Sequence, residues 1–359
     1  MVKATLATEV ADFTPDNENS RDIARMIEGA MKRTFDHRVI ESTAVPGAAF
    51  AFGSRMGIFA EHYREPVLMG AASGVGPKQQ LAIGMGRHDM AGAELVAVGV
   101  NELCARAAQP LFFMSYMSAC GVEPQTRAGF YDGVGRACSE ARCVFLGGDD
   151  VEGRETMRPG EYDVVGFTVG AAERGRMIPP ELPEPGDAII GIASNGVHNA
   201  GYESARETLM DKAGLSVRHP LGEYGIEGTV CDELLRPTRM YAEAVRAVIS
   251  AYKVKRVVSG LAHAREGGLI AALRSLLRPG LDADVRRVAW ETPRIFDILR
   301  DIGGIPPDRM FSEYNMGIGF LVAIRPEFAG AALERLSRSG FRAWRIGEMR
   351  AGTEQAHVE

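Results

Sequence analysis

The sequence predicts an α/β (α+β) protein of two domains, and three observations carry that expectation. The chain is 359 residues long, more than one hydrophobic core usually serves. Apolar strand-like runs alternate with amphipathic helix-like runs in both halves. A proline-rich stretch, "RGRMIPPELPEPGD", separates two regions of similar size, which places the boundary within 174–185 and the domains at 1–175 and 176–359.

The elements follow in order. After a polar lead, "TPDNENS", the segment "RDIARMIEGAMKRTF" sets Ile23, Met26, Ile27 and Met31 at helical spacing, and "VPGAAFAFGS" reads as a loop. From Val67 the first half runs "PVLMG", a helix over 90–108, "PLFFMSY", a helix over 125–141, "RCVFLGG" and "DVVGFTVG". The second half opens with "AIIGIAS", helices over 201–213 and 237–251, "KVKRVVS" and a helix over 268–277. It closes with "ADVRRVAW", a helix over 293–302, "GIGFLVAI", a helix over 326–339 and "AWRIGEM". No short-period repeat, low-complexity tract or coiled-coil heptad interrupts the pattern.

Composition narrows the function classes. With 46% hydrophobic and 25% charged residues the chain reads as an ordinary globular protein. No run approaches the roughly 20 apolar residues of a membrane span, and "MVKATLATEVADF" lacks a basic and an apolar leader region, so the expected location is the cytoplasm with no membrane partner. A net charge of -6 disfavours a nucleic-acid surface. Five cysteines with no CxxC pair favour reduced, buried thiols over a disulfide framework or zinc site.

Several loops carry residues suited to phosphate and metal chemistry. "AASGVGPK" follows the strand "PVLMG" and brings Ser73, Gly74, Gly76 and Lys78 together; the alternative for Lys78 is a solvated loop lysine. Only six of the 41 basic residues are lysines, which makes its place beside the glycines less ordinary. On the next helix Val96, Val100, Leu103 and Ala107 form an apolar stripe, while Glu94 and Asn101 share the other side with Glu102 next to it. Such a side suits Mg²⁺, a hard cation that takes carboxylate and phosphate oxygens; the plain alternative is a solvated helix face.

"GGDD" places Gly147, Gly148, Asp149 and Asp150 where the strand "RCVFL" is expected to end, a usual place for ligands in α/β proteins; an aspartate-capped turn is the alternative. "SNGVHNAGY" couples Ser194, Asn195, His198 and Asn199 to glycines before a helix, and "LAHAREGG" sets His263 and Arg265 before two more. His37, His62 and His219 join no constellation and read as surface or structural residues. None of the loops fits the P-loop GxxxxGK[ST] or a Rossmann GxGxxG, and GxSxG and HExxH are absent.

Taken in order, "YREPVLMGAASGVGPK", "RHDMAGAELVAVGVNELCARAAQPLFFMSY", "FLGGDD", "EYDVVGFTVG", "SNGVHNAGYES", "LLRPTRMY", "AHAREGGL", "YNMGIGFLVAI" and "AWRIGEM" form a collinear series. On these blocks the chain resembles the phosphoribosylformylglycinamidine cyclo-ligase (AIR synthetase) family, as a divergent member. The resemblance implies a two-domain fold whose N-terminal domain forms a barrel across a homodimer and whose C-terminal α/β domain completes the substrate site. It also implies ATP and Mg²⁺, and a ribonucleotide amidine substrate whose amide oxygen is phosphorylated before an internal nitrogen closes the aminoimidazole ring.

The resemblance implies catalytic roles for Lys78, His88 and Asp89, and nucleotide contacts at Ser73, Gly74, Gly76, Asn101, Gly147 and Gly148. Metal ligands would be Glu94, Glu102 and Asp149, and substrate contacts His198, Asn199, His263 and Arg265. The sequence departs from the family pattern at several of these places. Ser73 and Ser115 stand where the family carries aspartates, Glu94 and Glu102 also replace aspartates, and Asp149 replaces a glutamate. Arg265 and Glu266 rewrite a threonine-glycine turn, and the family's N-terminal motif is not recognisable in "ATEVADFTPDNENS". Three functions therefore compete: the purine cyclo-ligase, activation of a different amide in specialised heterocycle metabolism, and a non-catalytic binding homologue.

Overall fold

The computed structural model describes residues 18–36, 39–41, 48–50, 63–153, 157–252 and 256–359. His37, His62 and most of "ATEVADFTPDNENS" lie outside them. The first half contains α1 (Glu18–Lys32), a small hairpin of β1 (Val39–Glu41) and β2 (Ala48–Phe50), then β3 (Pro66–Gly74), α2 (Lys78–Met85), α3 (His88–Cys104), β4 (Gln109–Ala119), α4 (Pro124–Ala141), β5 (Val144–Glu152) and β6 (Tyr162–Glu173). Its sheet runs β3-β6-β4-β5, antiparallel except for the parallel β4·β5 pair.

That sheet has two unlike faces, as strand alternation requires. Phe113, Met117 and Val164 point into the core under α3 and α4. Leu68, Met114, Tyr116 and Phe167 point out and remain exposed.

The second half contains β7 (Ala188–Ala193), α5 (Tyr202–Arg206) running into a π-helical turn at Glu207–Lys212, α6 (Val230–Leu234), α7 (Ala242–Ile249), β8 (Val258–His263), α8 (Gly268–Arg274) and β9 (Leu281–Val285). It ends with α9 (Arg294–Gly303), α10 (Pro307–Glu313), β10 (Ile318–Ile324), α11 (Ala329–Arg338), β11 (Ala343–Ala351) and β12 (Ala356–Val358). Its six strands are ordered β12-β9-β11-β7-β10-β8. The unbroken apolar runs of β7 and β10 are buried throughout because both faces of this sheet are covered. Ile190, Ile192, Phe320 and Val322 join a cluster that continues into Leu95, Val96 and Val100 of α3, so one core crosses between the halves. Ile189, Leu321 and Ala323 face a second cluster under α8, α9 and α10.

Several expected boundaries move, each for a packing reason. β5 continues through "GGDD" to Glu152, so these residues lie within a strand: Gly148, Asp149 and Asp150 pair with Ser115, Tyr116 and Met117 of the long neighbour β4. Ser73 and Gly74 likewise belong to β3, paired with Gly166 and Val165, and the glycine loop shrinks to 75–77. The helix expected over 237–251 starts only at Ala242, since the amides of Thr238 and Tyr241 are taken by side chains of α3. β8 begins at Val258, with residues 253–255 of "KVKRVVS" outside the described residues, and "ADVRRVAW" is a strand only to Val285. All five cysteines are buried and free. No helix among the described residues is long and apolar enough to cross a membrane.

Candidate functional site

Helix α3 builds the seam between the halves. Leu95, Val96, Val100 and Leu103 are fully buried on one side, but Glu94 and Asn101, at 1% and 0% exposure, are buried as well. The side expected to offer ligands or meet solvent is instead covered by segment 236–241 of the second half. Glu94 accepts the Thr238 amide at 2.6 Å, the Thr238 hydroxyl at 2.8 Å and the Lys78 ammonium at 3.1 Å. Asn101 Oδ1 accepts the Tyr241 amide at 2.9 Å while its Nδ2 donates to the Arg239 carbonyl at 2.8 Å. A carboxylate and an amide seven residues apart on one helix face thus satisfy backbone groups of a segment that forms no helix or strand of its own.

Lys78 is not a solvated loop lysine. It is 3% exposed, opens α2, and donates to the Arg236 carbonyl at 3.2 Å as well as to Glu94. Its ammonium also lies 5.9 Å from the centre of the Tyr202 ring. Burial lowers its pKa, and the Glu94 charge works in the opposite direction. The preceding turn needs Gly76, whose φ of 68° falls in the left-handed region and whose missing side chain leaves open space. Ser73 turns inward and donates to the Leu95 carbonyl at 3.0 Å, so it ties β3 to α3.

Two of the residues expected to contact substrate, His198 and His263, stand beside Tyr241. His198 holds a φ of 58°, a strained conformation for a residue with a side chain and one that clusters at functional sites. Its Nε2 lies 2.6 Å from Asn195 Oδ1, and its ring packs beside Tyr241, as does that of His263. His263 Nε2 stands 3.4 Å from Asn101 Nδ2. Both imidazoles are held neutral. Burial, then Lys78, pushes the His198 pKa well down, and burial, then Arg265, pushes that of His263 down to about 3. His198 Nδ1, His263 Nδ1, Asn199 Oδ1 and the Tyr202 hydroxyl are buried without a hydrogen-bond partner among the described residues. Native interiors rarely leave such atoms unsatisfied.

Other expected site residues lie elsewhere. His88 opens α3 with Nδ1 3.1 Å from the Tyr162 hydroxyl, and Asp89 pairs with Arg136 at 2.9 Å on the surface. Gly148 is needed for packing, since an added Cβ would collide with the Ser115 carbonyl of β4. Gly147 has a φ of 104° in the same strand. His219 is a surface residue, 2.9 Å from Glu223.

The residues present do not form a Mg²⁺ cage within one chain. Glu94 is committed to Lys78 and Thr238, Glu102 pairs with Arg265 and stands 4.0 Å from Arg106, and Asp149 is exposed on the outer half of β5. Asp150 is engaged by Arg127. Among the described residues no three His, Cys, Asp or Glu side chains stand together so as to hold a metal ion. Arg265 reaches across the seam to Glu102, so a guanidinium occupies the partnership that a cation was expected to have.

Comparison with known proteins places this geometry. The family signature described as AIR synthase related protein, N-terminal domain, matches residues 67–172, and that of its C-terminal domain matches 184–358. The chain belongs to the AIR synthase-related family. A phosphoribosylformylglycinamidine cyclo-ligase of Geobacillus kaustophilus is 38% identical over 86% of this chain and 87% of its own length. One of Trichlorobacter lovleyi is 34% identical over 94% and 93%. Among solved structures, thiamine-monophosphate kinase from Stenotrophomonas maltophilia superposes with a TM-score of 0.65 at 16% identity, covering 93% of this chain and 95% of that one. HypE in complex with ATP superposes with a TM-score of 0.61 at 16% identity, covering 98% and 94%. The structural likenesses establish the fold, and the sequence relatives place this AIR synthase-related chain among enzymes.

Sequence reasoning missed the part played by Arg236, Thr238 and Tyr241 in this AIR synthase-related chain. Their signal was present in "LLRPTRMY", where Pro237 disfavours helix at the residue before it.

Proposed function

We propose that the chain is an ATP-dependent cyclo-ligase that closes the aminoimidazole ring of formylglycinamidine ribonucleotide. The observation that carries this reading is 38% identity over 86% of the chain to a protein of that name. In this reading ATP transfers its γ-phosphoryl group to the amide oxygen and leaves as ADP. An internal nitrogen then attacks the same carbon, loses a proton, and expels phosphate as the ring closes. Residues 1–175 serve as the ATP-binding and dimer-forming half and 176–359 complete the substrate side. The cytoplasm is the corresponding setting.

The chain's own contribution is positioning and exclusion of water. The open turn at 75–77 gives phosphates access to backbone beside α2, while the unpartnered atoms of His198, Asn199 and His263 receive the amide end. The ion pair of Lys78 and Glu94 fixes the distance between these two banks. Mg²⁺ would accompany the triphosphate, to which it binds largely through phosphate and water oxygens. The exposed apolar row of Leu68, Met114, Tyr116 and Phe167 supports a homodimer closed through this sheet face.

Incubation with formylglycinamidine ribonucleotide, ATP and Mg²⁺ should release ADP and the aminoimidazole in equal amounts. Absence of turnover at high enzyme concentration overturns the reading. A second reading, the same activation chemistry on a different amide, is favoured by the pairing of Arg265 with Glu102, which places charge at the seam. ATP binding without turnover of the purine intermediate would select it.

A further inference from the structure

The carboxylates expected to hold Mg²⁺ at the seam are met by cations of the chain's own. Glu94 is the most committed. Its Oε1 accepts the Thr238 hydroxyl at 2.8 Å, and its Oε2 accepts the Thr238 amide at 2.6 Å and Lys78 Nζ at 3.1 Å. It is 1% exposed, whereas Mg²⁺ dehydrates reluctantly and usually keeps several waters. Glu102 sits between two guanidiniums. Its Oε1 pairs with Arg265, on the loop after β8, and its Oε2 stands 4.0 Å from Arg106, in the turn after α3. A carboxylate so outnumbered opposes the approach of a free divalent ion. The neighbouring acids follow the same rule, with Asp150 and Glu152 on Arg127 and Glu233 at 2.9 Å from Arg236. Asp149, exposed on β5, is the one expected ligand without an ion pair among the described residues. A lone exposed carboxylate can add to an ion already held by phosphates, but it does not hold one by itself.

We propose that the seam carries its counter-cations in its own side chains, Arg265 on Glu102 and Lys78 on Glu94, so that the chain holds no divalent ion by itself and takes Mg²⁺ only together with a nucleotide's phosphates. Arg265 is a positioning residue in this assignment. It stands in for an ion at Glu102 and ties the second half to α3 one residue beyond the contact of Asn101 with His263. The nucleotide clause rests on the cyclo-ligase reading; the metal-free seam does not.

The test is equilibrium dialysis of the full chain in moderate salt against Mn²⁺, a stand-in for Mg²⁺ that is counted by its spin-resonance signal. Without nucleotide the protein side should hold no more Mn²⁺ than the buffer side, and an excess there overturns the proposal. With a non-hydrolysable ATP analogue added, metal and analogue should be retained together. Retention of neither overturns the nucleotide clause along with the cyclo-ligase reading and leaves the metal-free seam standing. Arg265→Met tests the guanidinium itself. It should lower the urea midpoint, and Mg²⁺ should recover part of that loss relative to KCl of equal ionic strength, while the wild-type midpoint shows no such response. Adding Glu102→Gln to Arg265→Met should abolish the recovery. An Arg265→Met variant with an unchanged midpoint, one that ignores Mg²⁺, or a recovery that persists without Glu102 overturns the role of Arg265 as a stand-in cation.

Discussion

Lys78 Nζ and Glu94 Oε2 meet 3.1 Å apart at the seam of the two halves, with side-chain exposures of 3% and 2%. A pair so buried contributes little net stability against an apolar replacement, yet removing one partner strands the other's charge. Lys78→Met should therefore cost about 3 kcal/mol in urea unfolding. The double variant Lys78→Met/Glu94→Gln should cost less than the sum of the single ones by about 1 kcal/mol or more. Additive losses would show that the two residues act separately, and unchanged stability in Lys78→Met would return that lysine to a solvated role.

The two buried histidines should contribute to the acid side of the stability profile. Unfolded, each titrates near the ordinary 6.5, whereas His263 in the fold is pushed down to about 3 and His198 well down. Between about 3 and 6.5 the unfolded chain binds more protons, so stability rises with pH across that window and is complete above it. Lowering the pH from 6.5 should cost about 1.4 kcal/mol per unit for each histidine. Urea midpoints at pH 7.5 and 5.5 check this, and His263→Gln should flatten the slope. A midpoint unchanged between those values would show that neither ring is held neutral by the fold.

The outer sheet face should govern assembly. Tyr116→Asp combined with Phe167→Asp places two charges in the exposed apolar row and should convert a dimer to monomers in sedimentation, with the circular dichroism spectrum preserved. A wild-type chain that sediments as a monomer rejects the homodimer.

Gly148 separates a packing role from a nucleotide role. Gly148→Ala forces a Cβ against the Ser115 carbonyl and should destabilise the fold by about 2 kcal/mol, whether or not ATP is present. Intact stability with lost ATP binding would restore Gly148 to the phosphate-contacting set.

The sequence was most legible where one period decides the outcome. The continuous apolar runs "AIIGIA" and "IGFLVAI" became doubly covered strands, and the collinear blocks carry the family resemblance without any tertiary contact. Loop chemistry was less legible, because whether "GGDD" ends a strand or continues it depends on the length of β4 beside it.

Helical spacing determined by itself that Glu94 and Asn101 share one side of α3, while length, alternating apolar runs and the proline-rich "RGRMIPPELPEPGD" pointed to two domains of mixed strands and helices. Only the tertiary structure decided what that side meets. The backbone of 236–241, more than a hundred residues away in the chain, consumes the oxygens that spacing alone left free for a cation. Periodicity specifies the direction in which a side chain leaves its helix, while the partner at the other end is supplied by a long-range fold that no local pattern encodes.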